Sequence, residues 1–121
     1  RVMSSLSHDN GETWSAALDT DIPNPGSSIE VTVLHNGRWL IVYNNSNKSR
    51  DNLTVAISTD EGKTWPLKHR IEPQGDGATS FSYPSVIQSA DGAVQITYTC
   101  KGQRGGRIRH GILQPAQLTS K

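Results

Sequence analysis

Two short stretches of the chain decide its fold. Residues 7–14 read SHDNGETW and residues 58–65 read STDEGKTW. Ser, Asp, Gly, Thr and Trp occupy the same five positions in both octets, which begin 51 residues apart. A tight turn needs a glycine that adopts positive φ and an aspartate that accepts backbone N–H bonds. Each octet therefore predicts a structural turn between two strands.

The sequence around the octets alternates between apolar and polar residues, which is typical of half-buried strands. Asn36-Gly37 predicts a two-residue type I′ hairpin, and Asp91-Gly92 predicts a second turn. We expect seven or eight antiparallel strands and almost no helix. The strands predicted from these patterns are residues 29–35, 38–43, 53–57, 84–89, 93–99 and 108–113.

The two hairpin turns define a second repeat, because they lie 55 residues apart. At this offset Leu53 aligns with Ile108, and Ile57 aligns with Ile112. A repeat of about 50 residues with four strands per unit is typical of β-propeller blades. The prediction is an all-β fold of four-stranded antiparallel blades, with residues 1–121 forming roughly two blades of a single domain.

The composition argues against several functions. Twelve Lys and Arg against eleven Asp and Glu give a net charge of +1, so we expect no nucleic-acid partner. No run reaches the ~20 apolar residues of a membrane helix, and no basic cluster predicts a membrane anchor. A single cysteine excludes an internal disulfide, and the four histidines show no ligand spacing. We therefore expect no metal, cofactor or membrane contact.

The octets also admit a calcium-site interpretation, which the turn interpretation outweighs. Each octet supplies one aspartate in its turn, far short of the 6–8 oxygen ligands that calcium takes. The chain begins at Arg1 without an initiator Met or an apolar signal segment, so we expect an excised segment or a mature fragment. The sequence indicates no cellular compartment.

The pattern Ser-x-Asp-x-Gly-x-Thr-Trp resembles the Asp-box, or BNR repeat, of the sialidases. The chain is similar to exo-α-sialidase-like members of that family at residues 23–25, 28–30, 36–38, 42–44, 50, 83–85 and 91–92. The resemblance implies a six-bladed propeller of which this chain is a C-terminal portion.

The resemblance also implies roles for two residues. Sialidases use a tyrosine nucleophile, a partner glutamate, an aspartate acid/base and three arginines that hold the carboxylate of sialic acid. Tyr83, eight residues before Asp91 of the Asp-Gly turn, matches the nucleophile, and Arg50 matches the third arginine. The partner glutamate, the acid and two arginines have no match, so the isolated chain is expected to be nearly inactive.

Strand order alone brings the candidate residues together. Glu30 and Tyr83 open first strands, Asn44 closes a second strand and Arg50 opens a third, so all four fall on one rim, and the octets fall on the other. A guanidinium can bind a carboxylate bidentately. A neutral phenol avoids the repulsion that a carboxylate nucleophile would meet from an acidic sugar, but it needs a base. We expect Tyr83 to be catalytic and Arg50, Glu30 and Asn44 to bind substrate.

Two functions remain open at the level of sequence. One is a glycosidase that removes terminal sialic acid or a similar acidic sugar. The other is a non-catalytic propeller module for carbohydrate binding or assembly, in which three copies complete a six-bladed ring. Tyr83 also suits an ordinary strand, and Arg50 a solvated loop. A basic cluster predicts either an anion-binding patch or a solvated edge strand, and it comprises Lys101, Arg104, Arg107 and Arg109.

Overall fold

The computed structural model describes residues 1–73, 75 and 77–119. This part of the chain contains nine strands, one short 3₁₀ helix and no α-helix, which confirms the all-β prediction. The strands are β1 (Met3–Ser4), β2 (Leu18–Asp19), β3 (Glu30–Val33), β4 (Trp39–Tyr43), β5 (Leu53–Ser58), β6 (Leu67–Glu72), β7 (Ser80–Gln88), β8 (Val94–Gly102) and β9 (Gly105–Leu113). The 3₁₀ helix is Pro115–Leu118.

The strands form three antiparallel sheets, and each strand pairs with its neighbours in the sequence. The first sheet is β1-β2, the second is β3-β4-β5-β6 and the third is β7-β8-β9. The second sheet is therefore a complete four-stranded meander, flanked by sheets of two and three strands. None of the described residues belongs to a helix that is long and apolar enough to cross a membrane.

The structure has more strands than the seven or eight expected. Strands β1, β2 and β6 have no counterpart among the six predicted ranges, and β1 and β2 are only two residues long and exposed. The sequence of β6, LKHRIE, lacks alternation because this strand lies at the edge of its sheet, and none of its residues is fully buried. Strand β7 begins at Ser80, four residues before the predicted start, because backbone pairing continues past Pro84.

The type I′ prediction for the hairpin at Asn36-Gly37 is wrong. Gly37 has φ 82°, but Asn36 is absent from the residues with positive φ, and type I′ needs both. The Gly37 N–H donates to the Leu34 carbonyl at 2.8 Å, and the Leu34 N–H donates to the Arg38 carbonyl at 2.8 Å. This pattern is a three-residue loop closed by a glycine, which the turn at Asp91-Gly92 repeats.

The main core lies between the second and third sheets. Its buried residues are Leu34, Leu40, Val42, Leu53, Val55, Ile57, Phe81, Val86, Val94, Ile96, Tyr98, Cys100, Leu113 and Leu118. A smaller cluster on the opposite face of the second sheet contains Ile22, Ile41, Tyr43 and Ala56. The second sheet is therefore packed on both faces, which explains why β5 is buried along its whole length. Burial on two sides holds the loops at its ends in place.

Both octets are tight turns organised by their aspartates. The Asp60 carboxylate accepts hydrogen bonds from the Thr64 backbone N–H at 2.8 Å, the Thr64 hydroxyl at 2.6 Å and the Ser58 hydroxyl at 2.7 Å. These bonds, the Thr64 hydroxyl first, lower the pKa of Asp60 to about 2. The octet of Asp9 has the same bonds and the same shift. Contacts within the turn thus account for the aspartate at each octet.

Candidate functional site

The candidate residues lie at or near one end of the sheets, opposite the octets. At this end, which we call the site rim, β3, β5, β7 and β9 begin, and β4, β6 and β8 end. Glu30 is the first residue of β3, and Asn44 directly follows β4. Arg50 precedes β5 by three residues. The octet of residues 58–65 connects β5 to β6 at the other end.

Tyr83 sits on a bulge in β7 rather than at the start of that strand. Ser82 pairs with Thr99 and Ser85 with Thr97, so β7 carries one extra residue between these pairs. Tyr83 has φ 53° in this bulge, and its side chain is 67% exposed. A non-glycine residue at positive φ is strained, and such strain occurs preferentially at functional sites. The bulge therefore presents the phenol to solvent.

Arg50 is held next to β7 by its own backbone. Its carbonyl accepts the Phe81 N–H at 2.7 Å. Among the described residues, its guanidinium donates one bond, to the Gly26 carbonyl at 2.9 Å, and Arg50 as a whole is half-buried. That single bond leaves further guanidinium N–H groups available for a ligand.

Asn44 occupies a different position from the one its predicted role requires. The side chain is 1% exposed. Its amide N–H groups donate to the Asn52 carbonyl at 2.6 Å and the Phe81 carbonyl at 3.0 Å, and its oxygen accepts the Ser27 hydroxyl at 2.5 Å. These contacts use both amide donors. The structure thus gives Asn44 a bridging role between three segments of the rim, with no side-chain surface for direct contact with a sugar.

Glu30 is half-buried and opposes Val42 in the β3–β4 pair. Its carboxylate makes no hydrogen bond or ion pair with a described residue, and the same is true of the Tyr83 hydroxyl. The described residues thus place no base in hydrogen-bond contact with the Tyr83 hydroxyl, and a phenol nucleophile needs such a base. Within the described part of the chain, no group of three or more His, Cys, Asp or Glu side chains is placed to hold a metal ion.

Sequence reasoning missed a second polar cluster close to the rim. The Tyr98 hydroxyl donates to Glu72 at 2.8 Å, and the Arg109 guanidinium donates to the same carboxylate oxygen. Burial, followed by the bond to Glu72, raises the pKa of Tyr98 to about 12. Glu72 is 26 residues from Tyr98 and 37 from Arg109 in the sequence, so no local pattern signals their contact.

The family comparison agrees with the repeated turns. The model of the BNR repeat-like domain matches residues 1–96, and the chain belongs to that family. A search of curated protein sequences finds no match. The matched range contains both octets and the candidate residues Glu30, Asn44, Arg50 and Tyr83.

Proposed function

We propose that this chain is a C-terminal portion of a six-bladed, sialidase-like propeller whose site rim binds an acidic sugar. Arg50 binds the sugar carboxylate, and Glu30 accepts a hydrogen bond from a sugar hydroxyl. The observation that carries the proposal is the exposed Tyr83 on its bulge, beside the backbone segment of Arg50. A planar guanidinium is well suited to a carboxylate ligand.

In the complete propeller, the Tyr83 oxygen attacks the anomeric carbon while the bond to the leaving oxygen breaks. Water then displaces the tyrosine, so the two steps retain the configuration of the sugar. The phenol must lose its proton to a base, and the leaving group must gain one from an acid. Both groups come from outside the described residues, so the 121-residue chain binds its sugar without appreciable turnover.

Non-catalytic assembly is the second candidate function, and one observation favours it. Apolar side chains are exposed on two sheet faces. Val31 and Val33 lie on the face of the second sheet that carries the smaller cluster, beside the two-stranded first sheet. Ile87, Ile108 and Ile112 lie on the face of the third sheet that points away from the main core. Further blades, or further copies of the chain, would cover such faces.

Binding of N-acetylneuraminic acid and of its methyl ester tests the proposed function. The two ligands differ only in the charge of the carboxyl group. By saturation-transfer NMR we expect the acid to bind at least five-fold more tightly than the ester, and Arg50→Ala to abolish this preference. Equal binding of acid and ester to the unaltered chain would remove the proposal. A fluorogenic sialoside should be hydrolysed at or near the background rate.

A further inference from the structure

The hairpin between β8 and β9 borders a cavity that the proposed sugar site does not use. The cavity has a volume of about 360 Å³. Its lining comprises Thr79, Cys100, Gly102, Gln103, Arg104, Gly105, Gly106, Arg107 and Arg109. Ligand pockets commonly start at about 300 Å³, so the space is sufficient for a substituted monosaccharide.

The register of β9 directs two of these arginines to one face of the sheet. Arg107 pairs with Cys100 and Arg109 pairs with Tyr98, and both partners are buried against the second sheet. Side chains alternate along a strand, so Ile108 lies on the opposite face, where it is 69% exposed. The alternative interpretation is that these charges only prevent edge-to-edge strand pairing. That role does not require the arginines to line the same cavity.

Three arginines line the cavity, and only one of them is paired with a described carboxylate. Glu72 pairs with Arg109. The guanidinium groups of Arg104 and Arg107 form no ion pair or hydrogen bond with any described residue. Within the described part of the chain, these two groups are therefore available beside the cavity, and each presents a planar set of N–H donors suited to an oxyanion.

We propose that this cavity binds an oxyanion group, such as a sulfate or a carboxylate, carried by a saccharide. Arg104 and Arg107 bind the oxyanion. The hydrogen bond to Glu72 holds the Arg109 side chain in place beside the cavity. The hairpin lies at the site rim, so an acidic oligosaccharide would reach it from the same side of the molecule as Tyr83. Only the choice of a saccharide as carrier rests on the proposed function. The anion site rests on the arginines alone.

N-acetylglucosamine 6-sulfate is the probe, with N-acetylglucosamine and sodium sulfate as comparison ligands at constant ionic strength. The readout is the shift of arginine Nε–Hε signals in NMR spectra of the ¹⁵N-labelled chain. We expect a saturable shift with the sulfated sugar, at least five-fold weaker binding of inorganic sulfate, and no response to the uncharged sugar. The double variant Arg104→Ala/Arg107→Ala should lose the response.

The double variant Lys63→Ala/Lys68→Ala is the matched control, because it removes two exposed positive charges away from the cavity. It should keep the full response. The proposed anion site would be wrong if the NMR shift persisted after both arginines were replaced. It would also be wrong if sodium chloride at the same ionic strength abolished the shift. Equal binding of inorganic sulfate would overturn the saccharide as carrier. The double variant Arg104→Ala/Arg107→Ala should not change the preference for N-acetylneuraminic acid over its ester. This test and the test of Arg50 can therefore fail independently.

Discussion

The Phe81 N–H donates to the Arg50 carbonyl at 2.7 Å, across 31 residues of sequence. The Phe81 carbonyl in turn accepts the buried amide of Asn44 at 3.0 Å. Both polar groups of the Phe81 backbone are thus fixed two residues before the bulge at Tyr83. The candidate carboxylate-binding residue and the candidate nucleophile are therefore parts of one hydrogen-bonded unit, and a change in either segment displaces the other.

Backbone strain at Tyr83 predicts an unusual preference for glycine. An L-residue at positive φ costs about 1 kcal/mol or more, and the following proline adds to the restriction. We expect Tyr83→Gly to be more stable than Tyr83→Ala by about 1 kcal/mol in urea denaturation. Ser85, exposed on the same strand but without positive φ, is the control. At position 85 the alanine variant should be more stable than the glycine variant. If alanine were also more stable than glycine at position 83, the backbone at Tyr83 would not be strained.

Loss of the Asn44 amide should destabilise the fold. In Asn44→Ala the Asn52 and Phe81 carbonyls and the Ser27 hydroxyl lose a buried partner. Unsatisfied buried groups cost about 1–3 kcal/mol each, and we expect a total loss of about 3 kcal/mol by urea denaturation. The adjacent residue provides the control, since the Asn45 side chain makes no hydrogen bond with a described residue. A loss below 0.5 kcal/mol, roughly the range of ordinary surface changes, would disprove the bridging role of Asn44.

The octet aspartates predict an acid-sensitive fold. Hydrogen bonds, first from the threonine hydroxyl of each octet, hold the pKa of Asp9 and Asp60 at about 2, against about 3.9 in an unfolded chain. A lowered folded-state pKa stabilises the fold above pH 4, and this contribution disappears as the pH falls to 2.

The double variant Asp9→Asn/Asp60→Asn should therefore have a lower Tm at pH 6 and a smaller fall in Tm between pH 4 and pH 2 than the unaltered chain. Asp19→Asn is the control, because the Asp19 carboxylate contacts no hydrogen-bond donor among the described residues. Identical pH profiles for the unaltered chain and the double variant would rule out the octets as the source of acid sensitivity.

The exposed apolar faces predict self-association. Val33 is 58% exposed on the face of the second sheet that the two-stranded first sheet covers only in part, and Ile108 is 69% exposed on the face of the third sheet away from the main core. Strands of further copies can therefore pack on both faces. Light scattering at micromolar concentration should detect species larger than a monomer, including the trimer that would complete a ring. Val33→Lys and Ile108→Lys should each shift the distribution toward monomer, whereas Asn47→Lys, in an exposed loop, should not. A stable monomer of the unaltered chain would end the case for ring completion.

Sequence alone was sufficient for the strands that the core encloses. The strands predicted at residues 38–43 and 53–57 match β4 and β5 to within one residue, although these strands are more fully buried than the half-buried strands that alternation predicts. The octets signal their turns through local chemistry that needs no distant partner. The bulge at Tyr83 arises from pairing with β8, a contact between residues distant in sequence. The sequence predicts that Asn44 binds substrate because it closes a strand at the rim, but a position at the rim does not determine whether the side chain is exposed. Its burial depends on Phe81, 37 residues away.

The second octet connects the third and fourth strands of its sheet, and the first octet connects the two strands of the first sheet. The sequence repeat therefore begins before the last strand of one sheet and not at the start of the next sheet. One 51-residue unit, residues 7–57, contributes β2 to one sheet and, to the next, β3, β4 and all of β5 except its last residue. Inserting such a unit would close the open edge of the preceding sheet and create an equivalent edge on its own. A gene encoding this architecture can thus lengthen by duplication at the octet without leaving an unmatched interface inside the array.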